Sequence, residues 1–292
     1  MPRETETLKL LRTLLGLYRP SVGEARRLAE VAKLNRLLLA YLRMVGDVLR
    51  DELLREEARY RWFMRNAAEV IEALSKAGVE YALHKFRKPL GHVSVDLDIL
   101  MSVDDVPKAV KALVRRGFEV AVSEPYTVTL VRNGFIVDLY TNPSFAWVVY
   151  MDGEKLLRCY VEEVEVNRVR ANVLTREAEV VVTAAHAVYK EHLVLLMDCL
   201  LAWSWLKREA WGVAVEYGVE GVLKALLEVC SLVRMGFVDT PHRLEPHVVF
   251  GVLTRKVLRD SLFRSTLPNI LKYLVRRDSG LRILARLTRR SY

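Results

Sequence analysis

The sequence predicts an α+β protein whose core is a mixed β-sheet, flanked by an N-terminal helical segment and a C-terminal helical domain. Three observations carry this reading. Apolar residues recur at helical intervals up to residue 77, alternate as in strands from about 78 to 173, and return to helical intervals from 174 to 292. Between two short β-rich runs, Asn133-Gly134 reads as a tight hairpin, because both residues accept the positive φ angles such a turn needs. The order strand, strand, helix, strand, hairpin then describes a mixed sheet with helices on one side.

In chain order, Ser21 and Glu24 have capping-box spacing. Leu28, Val31, Leu34, Leu38, Leu42, Val45, Leu49 and Leu53 follow at one helical period, and a second helix over 56–76 stops at Gly78. Strands are expected at 79–84 and 93–101, then a helix from Asp104 to Gly117. Further strands are expected at 118–123, 127–132 and 135–141, with β-like stretches around 151–154 and 164–166. A long apolar helix is expected over 177–207. Helices over 214–235, 244–262 and 268–290 follow, with breaks at Gly218, Pro241 and Pro268. Trp203, Trp205 and Trp211 read as packing residues.

Of the 292 residues, 52% are hydrophobic, enough for a buried core. The longest apolar stretch, 192–206, is interrupted by Asp198 and falls short of the ~20 residues of a spanning helix. The first residues mix charge with leucine and lack a secretory cleavage site, so a soluble, cytoplasmic protein is expected. Cys159, Cys199 and Cys230 are far apart without CxxC spacing, which argues against disulfides or a thiolate zinc site and for buried free thiols. Glutamine is absent, and seven asparagines stand against 32 arginines, a composition that suggests a hyperthermophile. Net charge is +9, and residues 250–292 carry eleven Lys/Arg against two Asp. Between Arg255 and Arg290 these cations alternate with leucines. Such an amphipathic basic segment can follow nucleic-acid phosphates, meet an acidic membrane surface or form a solvated face.

The chemistry-bearing motif is Ser94-Val95-Asp96-Leu97-Asp98-Ile99-Leu100. Strand alternation puts Asp96 and Asp98 on one face. Two adjacent carboxylates repel unless a cation lies between them, and a hard divalent ion such as Mg²⁺ or Mn²⁺ suits oxygen ligands. Asp138, in Val137-Asp138-Leu139, is a third mid-strand acid, costly to bury alone. If its strand lies beside that of Asp96, three carboxylates converge and two ions could clamp the oxygens of a phosphoryl transfer. His186 and Lys190, one turn apart, and Glu191 with Asp198 seven residues on, could form a polar seam near such a site.

Three stretches carry a family resemblance: 81–86 (YALHKF), 95–100 (VDLDIL) and 136–140 (IVDLY), with 185–192 (AHAVYKEH) after them. Over residues 70 to 205 the chain resembles the nucleotidyltransferase superfamily that includes DNA polymerase β, and most closely its small uncharacterised archaeal and bacterial members. The resemblance implies that Asp96, Asp98 and Asp138 are catalytic and hold the metal. It also implies a nucleoside triphosphate (NTP, ATP among them) as substrate, with a nucleoside monophosphate moving to a hydroxyl acceptor and pyrophosphate leaving. The superfamily usually cradles phosphates with a Gly-Gly or Gly-Ser pair, and here His84-Lys85-Phe86-Arg87-Lys88-Pro89 takes that place. Phosphate contacts are therefore expected from Lys85, Arg87 and Lys88, with Ser94 and Lys190 also at the nucleotide. The other reading is a catalytically inactive relative, acting as a nucleic-acid-binding or antitoxin-type module.

Overall fold

The computed structural model describes residues 4–275. Four helices open the chain, α1 (Glu6–Leu14), α2 (Val22–Leu34), α3 (Leu38–Val45) and α4 (Arg50–Lys76). The expected capping box stands at α2, where Ser21 accepts the Glu24 N–H and the Glu24 carboxylate accepts that of Ser21. The single period expected through Leu53 is divided. Asn35 ends α2, Arg36 takes φ 58°, and α4 starts at Arg50. The break is anchored from far away, since buried Asn35 donates to the carbonyls of Val31 and Thr240 and accepts the N–H of Leu196.

The sheet follows. Its elements are β1 (Tyr81–Leu83), β2 (Asp96–Met101), α5 (Val106–Val114), β3 (Glu119–Glu124), β4 (Thr127–Arg132) and β5 (Phe135–Tyr140). A separate two-stranded pair, β6 (Ser144–Phe145) and β7 (Val148–Val149), and α6 (Gly153–Cys159) come next, and β8 (Val161–Val166) and β9 (Val169–Leu174) complete the sheet. Seven strands lie in the order β3-β4-β5-β2-β1-β9-β8. β2 pairs with β5, and β1 with β9, in parallel, while the other pairs are antiparallel. Asn133 and Gly134 form the β4–β5 turn at φ 49° and 79°. The stretch expected as β-like around 151–154 instead opens a helix, because Asp152 accepts the Lys155 N–H at 3.1 Å and caps α6.

The strand period separates two cores. Leu97, Ile99, Val137 and Leu139 pack with Phe63 and Ile71 of α4 and Leu113 of α5. Ala82, Leu100, Tyr140 and Leu174, on the opposite face, join Leu156 of α6 and a larger core. Helices therefore cover both faces rather than one. The approach of α6 is close, and a Cβ on Gly153 would lie 2.0 Å from the Thr141 carbonyl oxygen.

Beyond β9 come α7 (Arg176–Ala185), β10 (Leu193–Val194), α8 (Leu196–Trp205), α9 (Arg208–Glu216), α10 (Glu220–Arg234), β11 (His242–Arg243), α11 (Pro246–Arg259), α12 (Ser261–Thr266) and α13 (Asn269–Val275). The long helix expected over 177–207 is corrected here. A π-helical turn, His186–Glu191, widens the end of α7, and His192 reverses the chain at φ 53°. The cysteine expectation is corrected as well. Cys199 of α8 and Cys230 of α10 form a buried disulfide, because the packed helices bring their Cα atoms to 5.2 Å; Cys159 is free and exposed. Trp203, Trp205 and Trp211 pack against the larger core. Among the described residues no helix is long and apolar enough to cross a membrane. The part of the expected basic helix beyond Val275, residues 276–290, lies outside the described residues.

Candidate active site

Parallel pairing of β2 and β5 sets Asp98 directly opposite Asp138, and Asp96 lies one alternation earlier on the same face. Carboxylate oxygens from the three residues lie within 4.8 Å of one another. Their orientation is supported from outside the trio. Thr129 of β4 donates to Asp138 Oδ1 at 2.5 Å, and Ser94 donates to Asp96 Oδ1 at 3.3 Å. Burial and then the neighbouring Asp98 charge push the Asp96 carboxyl up from its ordinary range. Burial raises that of Asp138 too, against the Thr129 hydrogen bond.

Asp98 behaves differently. Burial opposes its charge, but the Lys85 ammonium, 2.7 Å from Oδ2, holds the carboxyl far below the usual range. Burial likewise opposes the charge on Lys85, and Asp98 and Asp96 override it, so the lysine stays charged. Lys85 sits just beyond β1 at φ 56°, its N–H donating to Glu179 Oε2 at 2.9 Å. Glu179 is fully buried on α7, and burial lifts its carboxyl to about 7, with Lys88 and the Lys85 and Arg87 amides opposing. His84, buried edge-on against Tyr140, is pushed down to about 3 by loss of solvent and is a neutral ring.

Above the acids opens a cleft of about 380 Å³. Its walls carry the cations Arg36, Lys88 and Lys190, with His92, and the rings of Tyr126, Phe145, Trp147 and Tyr273. Burial lowers Lys88, opposed by Glu179 and Asp198, and it makes no ion pair among the described residues. Trp147 is fixed by three features. Its backbone takes φ 64°, its indole N–H donates to Glu124, and its ring meets Tyr273 edge-on at 5.3 Å.

Of the residues expected from sequence, the structure brings Lys85, Lys88, Ser94, Lys190 and the three aspartates to this cleft. Arg87 goes elsewhere, pairing with Glu162 and lying 5.7 Å from the Trp205 ring. The proposed seam is rearranged by the π turn. His186 meets Glu191 at 3.3 Å, while Asp198 accepts its own helix's Leu195 N–H. Sequence reading did not find Arg36, His92, Thr129, Glu179 or the aromatic wall as site residues. Thr129 alone had a local signal, since it lies on the hairpin opposite Asp138.

The donor set fits a hard divalent cation. It is all oxygen, it converges from two adjacent strands, and Asp98 Oδ1 is buried without a hydrogen-bond partner. No curated protein sequence matches the chain. A family model described as uncharacterised nucleotidyltransferase matches residues 27–217, a span that runs from before Arg36 to beyond Lys190 and so takes in both the acids and the cationic wall. Since that match covers about two thirds of the chain, the protein belongs to this nucleotidyltransferase family.

Proposed function

We propose that the protein moves a nucleoside monophosphate from an NTP to a hydroxyl acceptor, releasing pyrophosphate, with Asp96, Asp98 and Asp138 holding Mg²⁺ or Mn²⁺. The convergence of those three carboxylates, at the foot of a cleft with a cationic wall, carries the reading. A bound divalent ion supplies charge stabilisation at phosphoryl oxygens and makes a nearby hydroxyl easier to deprotonate. The chain's own residues do the rest. Lys88, Lys190 and Arg36 attract the triphosphate as point charges and a guanidinium fork, in place of a glycine cradle. Thr129 and Tyr140 hold Asp138, and Ser94 holds Asp96, so the carboxylates that would meet the ion are fixed in orientation. Tyr126, Trp147 and Tyr273 offer rings on which a base can stack.

The test is nucleotide binding by calorimetry in Mg²⁺ and in chelator. Wild type binds only with metal, and Asp96→Ala and Asp138→Ala both lose that binding. Binding unchanged in both variants refutes the reading.

One observation favours nucleic acid as a second partner. Tyr273 places α13 at the cleft rim, and the sequence after it is arginine-rich. The expected result is RNA or DNA affinity that falls steeply with salt. Absence of affinity at low salt removes this partner and leaves the transfer reading intact.

A further inference from the structure

The acid cluster already contains a cation. Lys85 leaves β1 in the left-handed region, a conformation that crowds the Cβ of a side-chain-bearing residue. It is kept there by the buried Glu179 carboxylate gripping its N–H. The side chain then runs inward, only 15% exposed, to place Nζ 2.7 Å from Asp98 Oδ2 and 5.5 Å from the Tyr140 ring centre. An exposed lysine can swing away when a metal arrives. This one is anchored at its backbone and enclosed along its stem, so its charge is part of the cluster's permanent inventory.

Three carboxylates against the Lys85 ammonium paired with Asp98 leave two negative charges, which a single divalent ion neutralises; the Lys190 and Arg36 charges also act on the trio and lower its demand for a second ion further. A second ion would add its charge within a few ångströms of a fixed ammonium, in a partly buried site where like charges repel more strongly than in open water. The available oxygens say the same. Asp98 has one oxygen committed to Lys85 and one, Oδ1, buried without a partner. Asp96 has one oxygen engaged by the Ser94 hydroxyl, and Asp138 accepts Thr129 at Oδ1 and, more weakly at 3.4 Å, Tyr140 at Oδ2.

We propose that Lys85 is a built-in substitute for one divalent cation, so that this cluster takes a single Mg²⁺ or Mn²⁺, held by Asp96, Asp138 and Asp98 Oδ1. The inference rests on the reading above for the identity of the cluster as a metal site, and it fixes how many ions enter it.

The experiment counts Mn²⁺ on the full chain without nucleotide, after chelator treatment, by electron paramagnetic resonance. Ions that remain in the triple variant Asp96→Asn, Asp98→Asn, Asp138→Asn are subtracted as background. Wild type is expected to hold one cluster ion, Lys85→Met two, and Lys85→Arg, which keeps the charge, one. Any other number in wild type, or an equal number in wild type and folded Lys85→Met, overturns the proposal. Should Lys85→Met fail to fold, the wild-type count decides. Metal-dependent nucleotide binding is measured separately, so two ions with binding retained sinks this inference alone, while one ion with no nucleotide binding sinks only the transfer reading.

Discussion

Asp98 and Asp138 are direct cross-strand partners on the parallel strands β2 and β5. Like charges so placed weaken a sheet, by up to about 1 kcal/mol per pair. The protein therefore keeps, at the centre of its sheet, a contact that Lys85 relieves only in part and that stays unfavourable until a divalent ion joins it. Asp138→Asn keeps the shape and the acceptor for Thr129 but removes one charge. In chelator the variant should melt higher than wild type, by about 1 kcal/mol of stability, while losing metal-dependent nucleotide binding. Thermal melts with and without Mg²⁺ check both halves, and a lower melting temperature in chelator contradicts the first.

Glu179 gives the fold a pH signature. Burial raises its carboxyl to about 7 from the ordinary 4.5, so the folded chain binds a proton there that the unfolded chain releases. Its contribution is whole below about 4.5 and is lost as pH rises through about 7. Glu179→Gln, which cannot ionise, should gain on wild type by about 3 kcal/mol across that window. Denaturant melts from pH 4.5 to 8 measure the difference, and a gap that stays constant with pH contradicts the assignment.

Lys88 lines the cationic wall without an ion pair among the described residues. A charged contact to phosphate is worth ~1.5–3 kcal/mol, so Lys88→Ala should weaken triphosphate binding by roughly 10- to 100-fold. A nucleoside monophosphate should lose much less. Equal losses for both ligands in calorimetry place the lysine away from the outer phosphates.

The Cys199–Cys230 disulfide closes a sequence separation of 31 residues between α8 and α10. Chain entropy gives such a link about 3–4 kcal/mol. Reduction, or Cys230→Ala, should lower unfolding stability by that order in denaturant melts, with metal binding unchanged. Equal midpoints with and without reductant contradict this.

Much of the site was legible because it obeys local rules. Asp96 and Asp98 share a face through strand alternation, and the Asn133-Gly134 turn returns Asp138 to the same sheet. What was hidden depends on distance along the chain or on breaks without the usual punctuation. Glu179 reaches Lys85 across 94 residues, and no local pattern encodes that. The helix over 177–207 reads as continuous because its interruption uses a π turn and a left-handed histidine rather than glycine or proline. The disulfide escaped for a similar reason, since helix packing and not CxxC spacing brings the two sulfurs together. Arg87 is expected at the phosphates because the run 84–89 stands where relatives carry a glycine pair, yet Glu162 on the edge strand β8 draws it aside.

Asn35 bonds Thr240 across 205 residues, and Leu28 and Leu42 share a core with Leu223 and Val233. The helices α1 to α3 must therefore wait for residues about 200 positions later before their apolar faces are covered. At ~5–20 residues per second that interval is roughly 10–40 s, during which the nascent chain shows a greasy surface to its surroundings. In a cell making this protein, chaperone capture during translation should be concentrated on residues 6 to 45, and it should end only when residues 223 to 240 have emerged.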